Sequence, residues 1–347
     1  MALSRREFVK GSLMAVGTAA ATLGGFGLVS DVFASDAPGE GADQNEGPRR
    51  LRYIDLERSG ELARREEALW GLYSPCRLCP RMCNVNRAAG ESGACTSASS
   101  FRVASFGPHF GEEAPLRGSR GSGTIFFSHC NLLCIFCINW QIAHRGDGRE
   151  TSPAELANMM LDLQRRGCHN INLVTPSHLL PHLIGALRLA IADGLHIPLL
   201  YNSSGYDPLE VIQLLDGIVD VYLPDFKFQD AEVAARFTQG APDYPRHAAA
   251  AIKEMHRQVG NLNIVGGIAQ HGLLIRHLVM PENLGGTDKF VRWVASELGP
   301  DTHVNIMSQY TPMFRANEFP PLDRRLTQAE FTQAMYWAHD AGLHNFH

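Results

Sequence analysis

Seven of the eight cysteines in this 347-residue chain fall into two tight groups. Cys130, Cys134 and Cys137 are spaced x3 then x2, directly after the apolar run Gly123–Ser128 and His129. Three thiols so spaced can converge on one soft metal centre. Structural zinc and most iron–sulfur clusters take four protein ligands. A cluster held by three leaves one iron open to a ligand that is not protein. The competing readings are a structural zinc site or a set of buried thiols. Phe136 sits just before the last of the three, and Asn139-Trp-Gln follows.

The second group is Cys76-x2-Cys79-x3-Cys83, with Cys95 after eleven intervening residues. Pro80, Gly90 and Gly93 supply the turns that a small metal-clamping loop needs. Four thiols in twenty residues point to a metal, an iron–sulfur cluster or zinc with equal claim. Disulfides are the alternative compatible with export, but this spacing is a poor shape for two separate bridges. Cys168 stands alone and reads as a packed small residue.

Around these groups the composition is that of a folded chain. Hydrophobic residues make up 45% and charged residues 19%, enough for a sizeable core. A formal charge of −5 argues against a nucleic-acid partner bound through a broad basic face. Residues 1–34 carry Ser4-Arg-Arg-Glu-Phe-Val-Lys10, a Gly/Ala-rich apolar run and Val32-Phe-Ala34. That is a twin-arginine export signal with a cleavage site, too short and Gly-rich for a stable membrane span. The expected location is periplasmic, with the cytoplasm as the alternative. Residues 35–50 read as a flexible linker. Residues 51–73 space Leu56, Leu62, Leu69 and Leu72 as one or two short helices would.

From residue 101 short apolar runs alternate with amphipathic stretches, which predicts parallel β/α units. The expected strands are 123–128, 170–175, 198–202, 219–224, 273–280 and 303–307. The expected helices are 151–166, 179–193, 208–215, 230–239, 244–259, 287–298 and 327–341. The fold class is therefore α/β, a partial (β/α)6 TIM-like barrel, with a Cys-rich segment at 74–100 and the barrel at 101–347. In such folds the site lies at the carboxyl ends of the strands. Those ends hold the cysteine loop, Thr175-Pro-Ser-His178, Asn202-Ser-Ser-Gly205-Tyr-Asp207, Asp225-Phe-Lys227, Arg276-His277 and Gln309-Tyr310. Lys227 is a suitable cation for a carboxylate. Tyr206 and Tyr310 are placed to line a cavity or to pack. His109, Glu112 and Glu113 precede the first expected strand and read as a solvated loop, with metal binding as the lesser alternative. His129 either tunes the adjacent thiols or packs.

The Cys-x3-Cys-x2-Cys motif after a first strand resembles the radical S-adenosylmethionine (SAM) superfamily. Within it the chain is similar to the group related to pyruvate formate-lyase activating enzyme that carries an N-terminal Cys-x2-Cys-Pro-Arg-x-Cys segment. The likeness runs from about residue 74 to 342. It rests on CRLCPRMCNVNR, HFGEEAPLRGSRGSGTIFFSHCNLLCIFCINWQIAH, NINLVTPSH, YNSSGYD, DVYLPDFKF and EMHRQVG.

The resemblance implies a 4Fe-4S cluster on Cys130, Cys134 and Cys137, with SAM on its open iron. It places Phe136 near the adenine and matches Asp225-x-Lys227 to a pair near the SAM carboxylate. It matches Arg276 to an arginine that approaches SAM and sets Asn202 toward the ribose. Glycyl-radical activating enzymes have Gly-Gly-Glu after the second strand, to receive the SAM amino group, where this chain has Thr175-Pro176-Ser177. The implied reaction is reductive cleavage of SAM to a 5′-deoxyadenosyl radical that abstracts hydrogen from a substrate. The implied partners are a flavodoxin or ferredoxin as electron donor and a glycyl-radical protein as substrate. The rival expectation is an exported iron–sulfur protein that transfers electrons or senses redox state without consuming SAM.

Overall fold

The computed structural model describes residues 51–347, so the expected export signal and the whole expected linker, residues 35–50, lie outside the described residues. The described chain begins with two helices, α1 (Arg52–Arg58) and α2 (Glu61–Gly71). They bury Tyr53, Leu62 and Leu69, an apolar stripe turned onto the next domain layer. The Cys-rich segment follows and belongs to the same compact unit as the barrel.

Nine strands follow: β1 (Phe101–His109), β2 (Ser122–Phe127), β3 (Arg149–Thr151), β4 (Ile171–Val174), β5 (Leu199–Ser203), β6 (Val221–Pro224), β7 (Asn263–Val265), β8 (Ile268–Leu278) and β9 (His303–Met307). Six of them, β2, β4, β5, β6, β8 and β9, pair successively in parallel. These are the six expected strands, and they make a partial (β/α)6 barrel. Three strands were not expected. β1 and β3 extend the β2 edge antiparallel, and β7 forms a hairpin with β8. β1 carries Gly107-Pro108 and β3 has three residues, so neither shows the continuous apolar run that marks a buried parallel strand.

The helices are α3 (Ala114–Arg117), α4 (Trp140–Ala143), α5 (Pro153–Arg165), α6 (Leu180–Ala192), α7 (Leu209–Leu214), α8 (Ala231–Phe237), α9 (Tyr244–Val259), α10 (Thr287–Glu297) and α11 (Gln328–Asp340). The start of α5 is dictated locally. The Ser152 hydroxyl accepts from the Glu155 N–H, and the Glu155 carboxylate accepts from the Ser152 N–H, with Pro153 in the first turn. Thr327 and Glu330 repeat the same reciprocal cap on α11.

Buried apolar residues form two compartments. The larger lies between the sheet and its helices and includes Leu156, Met160, Leu173, Leu187 and Cys168. Cys168 is thus a packed residue, as expected. The smaller joins Leu116, Leu200, Val221, Leu223, Leu262, Ala269 and Leu274. Because strand residues alternate faces, Leu200, Val221, Leu223 and Leu274 look inward and close the lower barrel as an apolar floor. Above that floor the inward positions turn polar, and a cavity opens. Among the described residues no helix is long and apolar enough to cross a membrane.

Candidate active site

β2 delivers the chain into the loop that carries Cys130, Cys134 and Cys137. His129 and Leu133 both adopt left-handed backbone, with φ of 72° and 60°. Non-glycine residues stay in that region only where their surroundings hold them. Here the restraints come from several elements. Asn131 donates from Nδ2 to the Tyr206 carbonyl (2.6 Å), Ile135 N–H donates to Phe237 O (3.0 Å), and Arg315 N–H donates to Ile135 O (2.9 Å). The His144 Nε2 hydrogen-bonds the Cys134 carbonyl at 2.9 Å. His129 N–H donates to Ile142 O, and its Nδ1 meets the Thr96 hydroxyl at 2.7 Å. His129 therefore ties the loop to the N-terminal Cys-rich segment.

The three thiols share one cavity of about 930 Å³ with Phe136, Thr175, Asn202, Asp225, Lys227 and Arg276. All nine residues expected for the cluster and SAM thus line the same space. Burial pushes the Cys134 thiol well up and the Cys137 thiol up to about 11; the Lys227 ammonium works against both. Lys227 donates to Asp225 Oδ2 at 2.7 Å. Burial opposes its charge, but Asp225 and the neighbouring thiols overcome this and raise its pKa. It is a fixed cation beside sulfur, which is what an anionic cluster and a ligand carboxylate both require.

Phe136 is buried, edge-on to Phe228 with ring centroids 6.0 Å apart. Tyr310 also lines the cavity, while its hydroxyl donates to Leu322 O at 2.7 Å. Tyr206 faces away and donates to Asp243 at 2.7 Å, so it packs and does not line the cavity. Thr175 has φ of 61°, a conformation for which glycine is the default. The departure from Gly-Gly-Glu is thus one of residue type, and a left-handed backbone is present at this turn. Thr175 N–H donates to Asn202 O at 2.8 Å, which joins two of the expected SAM contacts. Below them the buried Asp207 accepts from Tyr201 (3.0 Å) and Ser203 (2.8 Å), fixing the turn after β5.

Gly205 in that turn has φ of 74°, and a Cβ there would lie 2.3 Å from the Asp225 carbonyl oxygen. Gly205→Ala is expected to destabilise the fold by about 1–3 kcal/mol through this overlap. It should also displace Asp225 and Lys227 from the cavity, and the melting temperature should fall accordingly.

One expectation needs correction. Glu112 and Glu113 are not a solvated loop: both are 9% exposed. Arg276, which lines the cavity, is held by these two carboxylates. Its Nε donates to Glu113 Oε1 at 2.8 Å, and its terminal nitrogen contacts both carboxylates. Asn305 on β9 adds a bond to Glu113 Oε1 at 2.7 Å, and His109 closes on Glu112 at 3.2 Å. Burial pushes the Glu112 pKa up, but His109 and Arg276 hold it at about 2. The arrangement is a charged latch that ties the segment after β1 to β8 and β9. The sequence carried a signal for it in the inward alternation of Arg276 and Asn305, which occupy paired positions on β8 and β9. Nothing local showed that Glu112 and Glu113 would reach them from a distant loop.

Residues 124–271 match the sequence profile of the Radical SAM superfamily. Over 280 residues the chain is 32% identical to an uncharacterized protein of Methanocaldococcus jannaschii, covering 78% of this chain and 76% of that protein. The chain belongs to the radical SAM superfamily. Solved structures similar to this radical SAM protein include TYW1 with a lysine–pyruvate adduct bound and methylornithine synthase (PylB). Each is 12% identical. The first match covers 62% of this chain and 73% of that one, with a TM-score of 0.39. The second covers 63% and 68%, with a TM-score of 0.37.

The residues present fit the cluster that a radical SAM protein implies. The donor set is three free thiols with no fourth cysteine lining the cavity. Leu132 N–H points to Cys130 Sγ at 3.4 Å, and Asn139 N–H bonds Cys137, so backbone donors face two of the three sulfurs. Among the described residues no three His, Cys, Asp or Glu side chains are drawn together at the spacing of a single bound ion. Cys76, Cys79, Cys83 and Cys95 do not line the cavity and form a group of their own.

Proposed function

We propose that this radical SAM enzyme binds SAM in the 930 Å³ cavity and uses it to take a hydrogen atom from a second reactant held in the same space. The observation that supports this most is the meeting of three thiols, a half-buried Lys227–Asp225 pair and the Phe136 ring in one cavity at the strand ends. When bound, the cluster supplies one electron to SAM, and the product radical is the hydrogen acceptor. The chain's own residues do the rest. Lys227 offers a cation to the SAM carboxylate, Asp225 keeps Lys227 in place, and Phe136 gives the adenine an apolar face. Asn202 serves the ribose, and the Thr175 turn offers backbone oxygen to the amino group. The apolar floor and the closed latch of Arg276 keep water from the reacting atoms.

The volume stands at the upper end of the roughly 300–1,000 Å³ range of small-molecule pockets, which favours two reactants in one cavity. We take the second to be a glycine-containing segment of a partner protein, with a peptide or small metabolite as the rival. The electron donor is of the flavodoxin or ferredoxin class. Cys76, Cys79, Cys83 and Cys95 hold a second metal centre, and residues 1–34 direct export.

Anaerobic reconstitution followed by assay for 5′-deoxyadenosine tests the core of this reading. A fully loaded, reduced protein that leaves SAM intact would sink it. Lys227→Met should weaken SAM binding about 10–100-fold, the worth of one charge-assisted hydrogen bond. The cluster's visible absorption should survive. If SAM binds Lys227→Met as tightly as wild type, Lys227 is not its carboxylate partner. Adding Asp225→Asn separates loss of the contact from the cost of an unpaired Asp225.

A further inference from the structure

The second group of thiols shows three features that disulfides would not require. First, the backbone aims at the sulfurs. Arg81 N–H bonds Cys79 and Ser97 N–H bonds Cys95, the same two-residue offset as in the Cys130–Cys137 loop. Ala94 N–H donates to Cys83 Sγ at 3.2 Å. Gly93 lies so close that a Cβ there would meet that sulfur at 2.6 Å. Cys79 feels the charges of Cys95, Cys76 and Cys83, so the four thiols are electrostatic neighbours.

The second feature is charge. Arg87 is fully buried beside Cys95. Its guanidinium donates only to neutral oxygens: Ala98 O, His178 O (2.7 Å) and the Ser97 hydroxyl (2.9 Å). The Tyr73 ring covers it at 4.2 Å, and among the described residues no carboxylate pairs with it. A buried cation without a counter-charge is strongly unfavourable. Four thiolates around a metal core carry net negative charge and would balance Arg87, whereas a pair of disulfides is neutral.

Connection to the cavity is the third feature. Arg81, inside the Cys79–Cys83 turn, donates to Asn131 O and Leu132 O, both at 3.0 Å. Those carbonyls lie between Cys130 and Cys134. It also binds the carbonyls of Thr238, Gln239 and Gly240. Thr96, next to Cys95, holds His129, next to Cys130. Two hydrogen-bonded bridges thus join the thiol groups. With Arg81 already fixing the segment to the barrel, a purely structural ion is not needed for docking. On the outer side Met82 is 40% exposed and Cys83 is half-buried, so the group is reachable from solvent.

We propose that Cys76, Cys79, Cys83 and Cys95 hold an iron–sulfur cluster, with Arg87 as its buried counter-ion, and that the Arg81 and Thr96 bridges are the route by which electrons reach the Cys130 loop. This rests on the radical SAM reading only for the inner site. A one-electron carrier protein of the flavodoxin or ferredoxin class reduces the outer centre. That centre then loses one electron as the inner one gains it.

The test begins with the Cys130→Ala/Cys134→Ala/Cys137→Ala triple variant, reconstituted anaerobically with iron and sulfide. It should retain about four irons per chain, with a cluster signal in paramagnetic resonance after dithionite reduction. Zinc, or no metal, at the outer site overturns the proposal. In that variant, Arg87→Gln should lower the midpoint potential, because a cation that stabilises the reduced state is lost, and Arg87→Lys should restore it. An unmoved potential removes Arg87 from the role. Fully reduced wild type should show two interacting spins. A spectrum equal to the sum of separate clusters overturns the route. Wild type that cleaves SAM while holding iron only at the inner site refutes this proposal and leaves the radical SAM reading standing. Both clusters loaded with no SAM cleavage counts against the inner site.

Discussion

Cys134→Ala is expected to bring 5′-deoxyadenosine formation to background while the chain remains folded. Cys134 is the middle thiol of the inner loop, and its sulfur is buried where Lys227 and the other two thiols converge. Removing it leaves two thiols, too few to grip a cluster that already lacks a fourth protein ligand. The structural cost is small by comparison. One buried sulfur is exchanged for a methyl-sized gap, worth about 1 kcal/mol. The loop keeps its other restraints, since His144 and Arg315 bind backbone carbonyls and not the sulfur. Iron content should drop by the inner cluster's share, and circular dichroism should match wild type. Measurable turnover by this variant would place the chemistry elsewhere.

Arg276→Met should destabilise the fold by about 3–5 kcal/mol at neutral pH, the usual result of stripping one partner from a buried ion pair. Glu112 and Glu113 would be left as two buried carboxylates beside Asn305 and His109. The pH dependence has a definite sign. In wild type Glu112 titrates near 2, well under an unfolded carboxylate near 4.5. Its stabilisation, on the order of 3 kcal/mol, is complete above about pH 4.5 and disappears as pH falls through 2. Glu113 is depressed as well and acts in the same direction. His109 behaves oppositely. Its pKa is raised by its hydrogen bond to Glu112, so its contribution is full below about pH 6.5 and fades as pH rises through the folded value.

In Arg276→Met the cation is gone, burial dominates, and the carboxylates protonate at higher pH. Urea unfolding of the two proteins should therefore differ most near pH 7 and converge toward pH 2. Glu112→Gln/Glu113→Gln in the Arg276→Met background should recover most of the loss. A constant difference across the whole range would show that Arg276 acts through packing alone.

The sixfold strand rhythm was legible because parallel β/α units leave a plain sequence trace: buried strands are continuous apolar runs, and helices carry caps such as Ser152 with Glu155. The cysteine loop was equally legible, because ligand chemistry depends on residue type and short-range spacing. The antiparallel additions β1, β3 and β7 left no such trace. Half-exposed and interrupted by Gly107-Pro108, or only three residues long, they are set by what they pair with.

The sequence alone determined the family chemistry: three thiols for an open-cornered cluster, Asp225 and Lys227 two residues apart on one strand end, and four more thiols in a second group. Only the tertiary structure decided where the remaining charges go. Glu112 and Glu113 meet Arg276 across 163 or more residues, and Arg81 and Arg87 reach carbonyls of the inner loop and of the turn after β4. The physical reason is range. Ligand spacing, caps and strand periodicity are local and are written in neighbouring residues. The partner of a buried charge is chosen by which distant surfaces the folded barrel presses together.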